Sequence, residues 1–204
     1  MRFEYRSHYF PDPSGPEQFI RPGRLDIHCW PENNDSVVAG RVALDHLDLY
    51  RATDFGADIY TVCDADSSGW EGVYRAVFEE VSGRDEVRRD LEFDEHVSHV
   101  LFIHRAIFHP ALRDWQGYII DHVCRLVDGD SITVMWEGTT DLTGKELAGL
   151  GFSKIAGEDL HFRPNMLVHD YQAINDSREP FELVVPDDAQ QFVDKAWGDD
   201  SLWF

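Results

Sequence analysis

The sequence predicts an α/β domain of the α+β kind: one central mixed β-sheet of about six or seven strands flanked by helices, with an acidic C-terminal extension. Three observations lead there. The 204 residues, 43% of them hydrophobic, can bury one sizeable core without needing a second. Alternating apolar and polar residues from Arg24 to Cys63 read as strands. Between Val97 and Glu137 the pattern switches from strand to loop to helix and back to strand, the sequence of a β–loop–α–β unit.

Taken in order, Phe10–Gly23 holds four prolines in fourteen residues, so 1–23 is expected to be an irregular arm, 24–168 the domain and 169–204 the extension. Leu25, Ile27 and Cys29 alternate with polar neighbours. After the Glu32–Asp35 turn, Val37–Leu49 continues the alternation as a strand pair or one bent strand, and Ile59–Cys63 is a third, short strand candidate. Ser68-Gly69-Trp70-Glu71 fits a capping box and precedes Trp70, Val73, Tyr74, Val77, Phe78 and Val81 at helical spacing. The charged stretch Gly83–His96 has too few apolar residues to require burial and reads as a solvated helix or loop. Val97–Phe108 is a buried strand, His109–Gly117 a loop, Tyr118–Val127 a helix and Ser131–Glu137 another strand. Leu142–Leu150 is helical, Phe152–Ile155 and Asp159–Arg163 are short strands, and Asp187–Trp197 is a short helix.

Eighteen Lys and Arg against thirty-nine Asp and Glu give a net charge of -21, which repels nucleic acid and anionic lipid. Solubility is the plain explanation of that charge; attraction of a basic partner is the sharper one. No apolar run approaches the roughly 20 residues of a membrane span, and Cys29, Cys63 and Cys124 form no C-x-x-C pair, so a cytoplasmic protein with reduced thiols is expected. Asp64-Ala65-Asp66-Ser67-Ser68-Gly69 imitates the start of a calcium loop, but Arg75 stands where the closing Glu is needed. His96-x-x-His99 points to opposite faces of a strand and lacks further ligands, so no metal is expected.

Ile103-His104-Arg105-Ala106-Ile107-Phe108-His109-Pro110, followed later by Leu150-Gly151-Phe152, resembles the second half of a GNAT acyltransferase domain. The resemblance covers Val97–Pro164 and, loosely, the strands from Arg24 to Cys63. It implies acetyl-CoA as cofactor, its pyrophosphate on backbone N–H groups at the start of the helix after the central strand. The rim would comprise Arg113, Trp115, Gln116, Gly117 and Tyr118, with Ile107, Phe108 and His109 pairing with the pantetheine arm where the two strands splay. His104 stands near the position of the family's general base, and a histidine suits that work near neutral pH; the plain alternative is a half-buried strand histidine with a backbone partner. Leu147 occupies the place of the usual acidic Tyr, which Tyr118 or Tyr171 would have to supply. The loop departs from the family pattern in either register: Gln116 and Tyr118 fall where Gly and a small residue are wanted, or Asp114 falls where Gln or Arg is wanted and Ile119 where a small residue is.

Two functions follow. One is a CoA-dependent N-acyltransferase acting on a cationic amine. The other is a catalytically inactive GNAT-like protein that binds a basic protein partner through its acidic surface and its aromatic tail, Trp197–Phe204, as an inhibitor, adaptor or antitoxin-like protein. The same tail has the composition to fold back on the domain.

Overall fold

The computed structural model describes residues 1–7, 15–32, 35–91, 96–127, 130–165 and 183–198. Its centre is a seven-stranded sheet of β1 (Arg2–Ser7), β2 (Ile20–Cys29), β3 (Val37–Asp48), β6 (His99–Phe108), β7 (Ser131–Trp136), β8 (Ser153–Lys154) and β9 (Leu160–Pro164), in the order β1-β2-β3-β6-β7-β9-β8. Every neighbouring pair is antiparallel except β6 and β7, which run parallel. The mixed α/β fold is therefore the one expected from the sequence.

The alternation along each strand divides the core into two layers. Leu47, Val100, Phe102, Ile132 and Val134 face α1 (Leu49–Asp54), α2 (Ile59–Asp66) and α3 (Ser68–Val77), meeting Val62, Trp70, Val73 and Val77. Leu25, Ile27, Val42, Leu44, Leu101, Ile103 and Met135 face α4 (Gln116–Cys124) and α5 (Gly144–Gly149), meeting Ile119, Ile120, Val123 and Leu147. A buried polar tie crosses the second layer. Fully buried Arg163 donates to Asp121 of α4 at 2.7 Å, and the Asn165 amide donates to Thr133 at 2.8 Å and Ser131 at 3.2 Å. All three cysteines are buried as free thiols, and burial pushes Cys29 up to about 11 and Cys63 up to about 12.

Four expectations are corrected. The N-terminal arm is not irregular throughout: Phe3 and Tyr5 alternate with charged residues in β1, and β2 begins at Ile20. Pro22 lies in β2 next to the last described β1 pair, Ser7 with Gly23, and is paired with Asp45 of β3. Ile59–Cys63 is helical, since Asp58 caps it by accepting from the Thr61 backbone N–H at 2.7 Å; a short apolar run is ambiguous until its cap is read. Within the charged stretch Arg84–Val87 is a strand, β5, that forms a hairpin with β4 (Phe78–Val81), and a 3-10 turn follows at Arg89–Leu91; the α3 pattern stops at Val77. Ser82 and Gly83, both at positive φ (55° and 77°), make the turn that a two-residue hairpin requires. Finally, residues of the expected C-terminal extension belong to the domain: α6 (Ala189–Trp197) packs against β3 and β6.

Candidate functional site

The site begins with an irregularity in the sheet. The β3–β6 register pairs Leu44 with Ile103 and then Ala43 with Arg105, leaving His104 as the extra residue of a β-bulge. Such a bulge re-aims side chains. His104 reaches Asp45, its Nε2 lying 3.5 Å from Oδ1, with both side chains mostly buried at 19% and 15% exposure. The other carboxylate oxygen of Asp45 accepts the indole N–H of buried Trp70 at 3.0 Å. Phe102 lies between them in an aromatic chain, its ring centroid 5.8 Å from His104, 5.4 Å from Trp70 and 6.1 Å from Trp136.

The bulge coincides with the end of the parallel pairing. The β6–β7 register runs from His99 with Ser131 to Ile103 with Met135, and β6 continues beyond it through His104–Phe108. Of the residues expected there, Ile107 pairs with Arg41 and is half-buried, whereas Phe108 pairs with Gly40 and is buried. Gly40 is required by that contact, since a Cβ would sit 2.8 Å from Phe108 Cδ1. His109 accepts the Ala111 backbone N–H through Nδ1 at 3.2 Å and meets the Phe192 ring of α6 at 5.1 Å.

α6 closes the sheet end beside the bulge. Trp197, 1% exposed, lies under the guanidinium groups of Arg41 and Arg105 at 5.3 and 4.9 Å. Arg105 also donates to the Ala196 carbonyl at 2.7 Å, and buried Arg41 donates to Asp26 at 2.7 Å and Asp194 at 3.3 Å. Trp197 thus folds back on its own domain; Trp203 and Phe204 of the aromatic tail lie outside the described residues.

The loop after β6 carries the remaining expected residues. Pro110–Trp115 forms a 3-10 turn that buries Leu112 and Trp115, and Gln116 and Gly117 open α4. The Tyr118 ring lies 6.0 Å from Trp115 and 6.3 Å from Phe3. Arg113 donates to both carboxylate oxygens of Glu146 at 3.2 and 3.0 Å. Glu146 also accepts the Thr143 backbone N–H and hydroxyl, closing a capping box on α5. These contacts, Arg113 first, hold its carboxyl down to about 2. Gln116, 1% exposed, donates its amide to Asp141 at 3.1 Å, while its buried carbonyl oxygen Oε1 has no hydrogen-bond partner.

This arrangement does not fit the pyrophosphate of acetyl-CoA. The loop's cation is neutralised by Glu146, a second carboxylate is bound to the first side chain of α4, and Tyr118 stands where the family wants a small residue. Asp114 is exposed. Leu147, at the position of the expected acid, is a core residue at 6% exposure, and Tyr171 lies outside the described residues. Among the described residues no group of three or more His, Cys, Asp or Glu could hold a metal ion, and no helix is long and apolar enough to cross a membrane. The Asp64–Gly69 stretch is the end of α2, the Ser67 cap and the start of α3.

Four residues that matter here were missed in the sequence: Asp45, Trp70 in its role as donor, Asp141 and Glu146. Thr143-x-x-Glu146 carried a signal, the T-x-x-E of a capping box. Asp45 carried a weaker one, a carboxylate inside an apolar strand. No family model matches the chain, and no curated protein and no solved structure is similar to it.

Proposed function

We propose that this chain is a non-catalytic GNAT-like protein that binds a basic protein partner through its acidic surface. The observation that carries this reading is the commitment of Arg113 to Glu146 and of the Gln116 amide N–H to Asp141, both carboxylates of the chain itself. The net charge of -21 supplies long-range attraction for a cationic partner. Tyr50 and Tyr60 are exposed on α1 and α2, and Phe55 is exposed between them; the neighbouring Asp54 and Asp58 are also exposed, a composition suited to lysine- and arginine-rich chains. Isothermal titration of acetyl-CoA tests the reading: no heat of binding is expected up to millimolar ligand, and micromolar binding sinks it.

A second reading, an N-acyltransferase for a cationic amine such as a polyamine, an aminoglycoside or a Lys-rich protein, is favoured by one observation. His104 sits at the bulge where β6 outruns β7, held by a carboxylate as a general base would be. Micromolar acetyl-CoA binding would select it, and loss of acyl transfer in His104→Ala would then identify the base.

A further inference from the structure

We infer that β1 is a docking strand for a second copy of this chain. Two β1 edges pair antiparallel about a twofold axis at Tyr5 and join the two seven-stranded sheets into one continuous sheet. The inference is independent of the basic partner proposed above and of the loop before α4, since neither uses this edge.

β1 ends the sheet order, and among the described residues no strand lies on its outer side. Its residues pair with β2 from Arg2 with His28 to Ser7 with Gly23, so half of its backbone N–H and C=O groups face outward in a row. Arg2, Tyr5, Arg6 and Ser7 are exposed, which leaves that side open to an incoming strand. The Tyr5 hydroxyl lies over Gly23, where a Cβ would come within 2.5 Å of it, and the ring is still 41% exposed. Charges on an edge strand usually guard against pairing. Here Arg2, Glu4 and Arg6 alternate in sign along one face, so they forbid some registers and favour others.

Three antiparallel registers are open to two copies of this strand. With Glu4 on the axis, Glu4 meets Glu4 and Arg2 meets Arg6, all like charges. With Phe3 on the axis, Arg2 meets Glu4, but the Phe3 ring is already stacked on His122 at 4.2 Å. With Tyr5 on the axis, each Glu4 meets Arg6 of the second copy, twice by symmetry, and the two exposed tyrosines meet each other. Glu4 already receives Arg6 Nε at 2.9 Å and lies 3.7 Å from Arg2 and 3.3 Å from His28, so positive groups surround it and an Arg6 from the second copy adds to the same network. The net charge of -21 opposes association of two copies. Its reach is about 8 Å at physiological salt, however, and β1 and β2 together hold Arg2, Arg6, Arg21 and Arg24 against Glu4 and Asp26, so the acidic surplus lies away from this edge.

The test is sedimentation equilibrium of the natural chain from about 10 μM to 1 mM at physiological salt. A short strand pair is small against the roughly 1,200–2,000 Å² of a stable interface, so dissociation within that concentration range is expected. Arg6→Glu sets acid opposite acid at both symmetric positions and should weaken the dimer about tenfold or more. Glu4→Arg should do the same with bases. The double variant Glu4→Arg/Arg6→Glu restores the alternation and should restore the dimer, and an equimolar mixture of the two single variants should form a heterodimer. A natural chain that stays monomeric at 1 mM overturns the inference. So does a dimer that Arg6→Glu leaves unchanged, or a loss that neither the double variant nor the mixture repairs. Thermal unfolding verifies that each variant is folded; should one single variant fail, the other and the double variant decide in its place. Acetyl-CoA titration bears on the proposed function and leaves this result untouched.

Discussion

Asp45 joins two side chains from different elements: one oxygen lies 3.5 Å from His104 Nε2, and the other receives the Trp70 indole N–H at 3.0 Å. This one carboxylate ties α3 to the bulged strand. Asp45→Ala leaves a buried indole donor without an acceptor and should cost about 1–3 kcal/mol in urea unfolding. Asp45→Asn keeps an acceptor oxygen and should cost clearly less. Equal losses in the two variants would show that the indole bond is not what the carboxylate provides.

Ser67, rather than Ser68, caps α3, its hydroxyl accepting the Trp70 N–H at 3.3 Å. Ser67→Ala should therefore destabilise by about 1 kcal/mol, with Ser68→Ala nearly neutral. The reverse ranking in thermal melts would place the helix start one residue later, where the sequence pattern suggested it.

Gly72 lies on α3 under Trp136, and a Cβ there would come within 2.8 Å of the indole Cη2. Ala at this position gains up to about 1 kcal/mol of helix propensity but forces a rigid ring out of place, at about 1–3 kcal/mol. Gly72→Ala should thus lower the melting temperature, while Gly144→Ala on α5, whose Cβ would meet nothing within 4 Å, should not. A stabilised Gly72→Ala would mean that Trp136 moves freely.

Burial and the neighbouring His99 push His46 down to about 4, with Asp48 opposing and Arg21 assisting. The His46 and His99 rings lie 4.9 Å apart. An unfolded histidine titrates near 6.5, so between about pH 6.5 and 4 the unfolded chain binds the extra proton. Stability from this group is complete above that window and falls as pH drops through it, by up to roughly 1.4 kcal/mol per pH unit. Half-buried His122 and buried His161 shift in the same direction. His46→Gln should flatten the acid limb of urea-derived stability over this range. An unchanged limb would show that His46 accepts its proton in the folded state.

Much of the architecture was legible because local pattern and tertiary role agree. Val97–Phe108 and Ser131–Glu137 are apolar and β-branched enough to be central strands, and they are β6 and β7. Asp187–Trp197 carries a helical stripe, and α6 buries Ala189, Val193 and Trp197. Residues 59–63 failed because a five-residue apolar run fits either period and the deciding Asp58 cap lies outside it. The helix-or-loop reading failed at Arg84–Val87 because a two-stranded hairpin needs little burial, so hydrophobicity gave no sign of it.

The sequence by itself determined the mixed sheet, the order of its central elements and the charge, since these depend on composition and on neighbours a few positions apart. Only the tertiary structure decided that His104 meets Asp45, that Trp197 slots beneath Arg41 and Arg105, and that Glu146 and Asp141 answer Arg113 and Gln116. Gln116 and Asp141 are 25 positions apart, Arg113 and Glu146 33, and Arg41 and Asp194 153, and side-chain chemistry alone leaves each of these residues many possible partners. The bulge, the strand register and the packing angle of each helix select one.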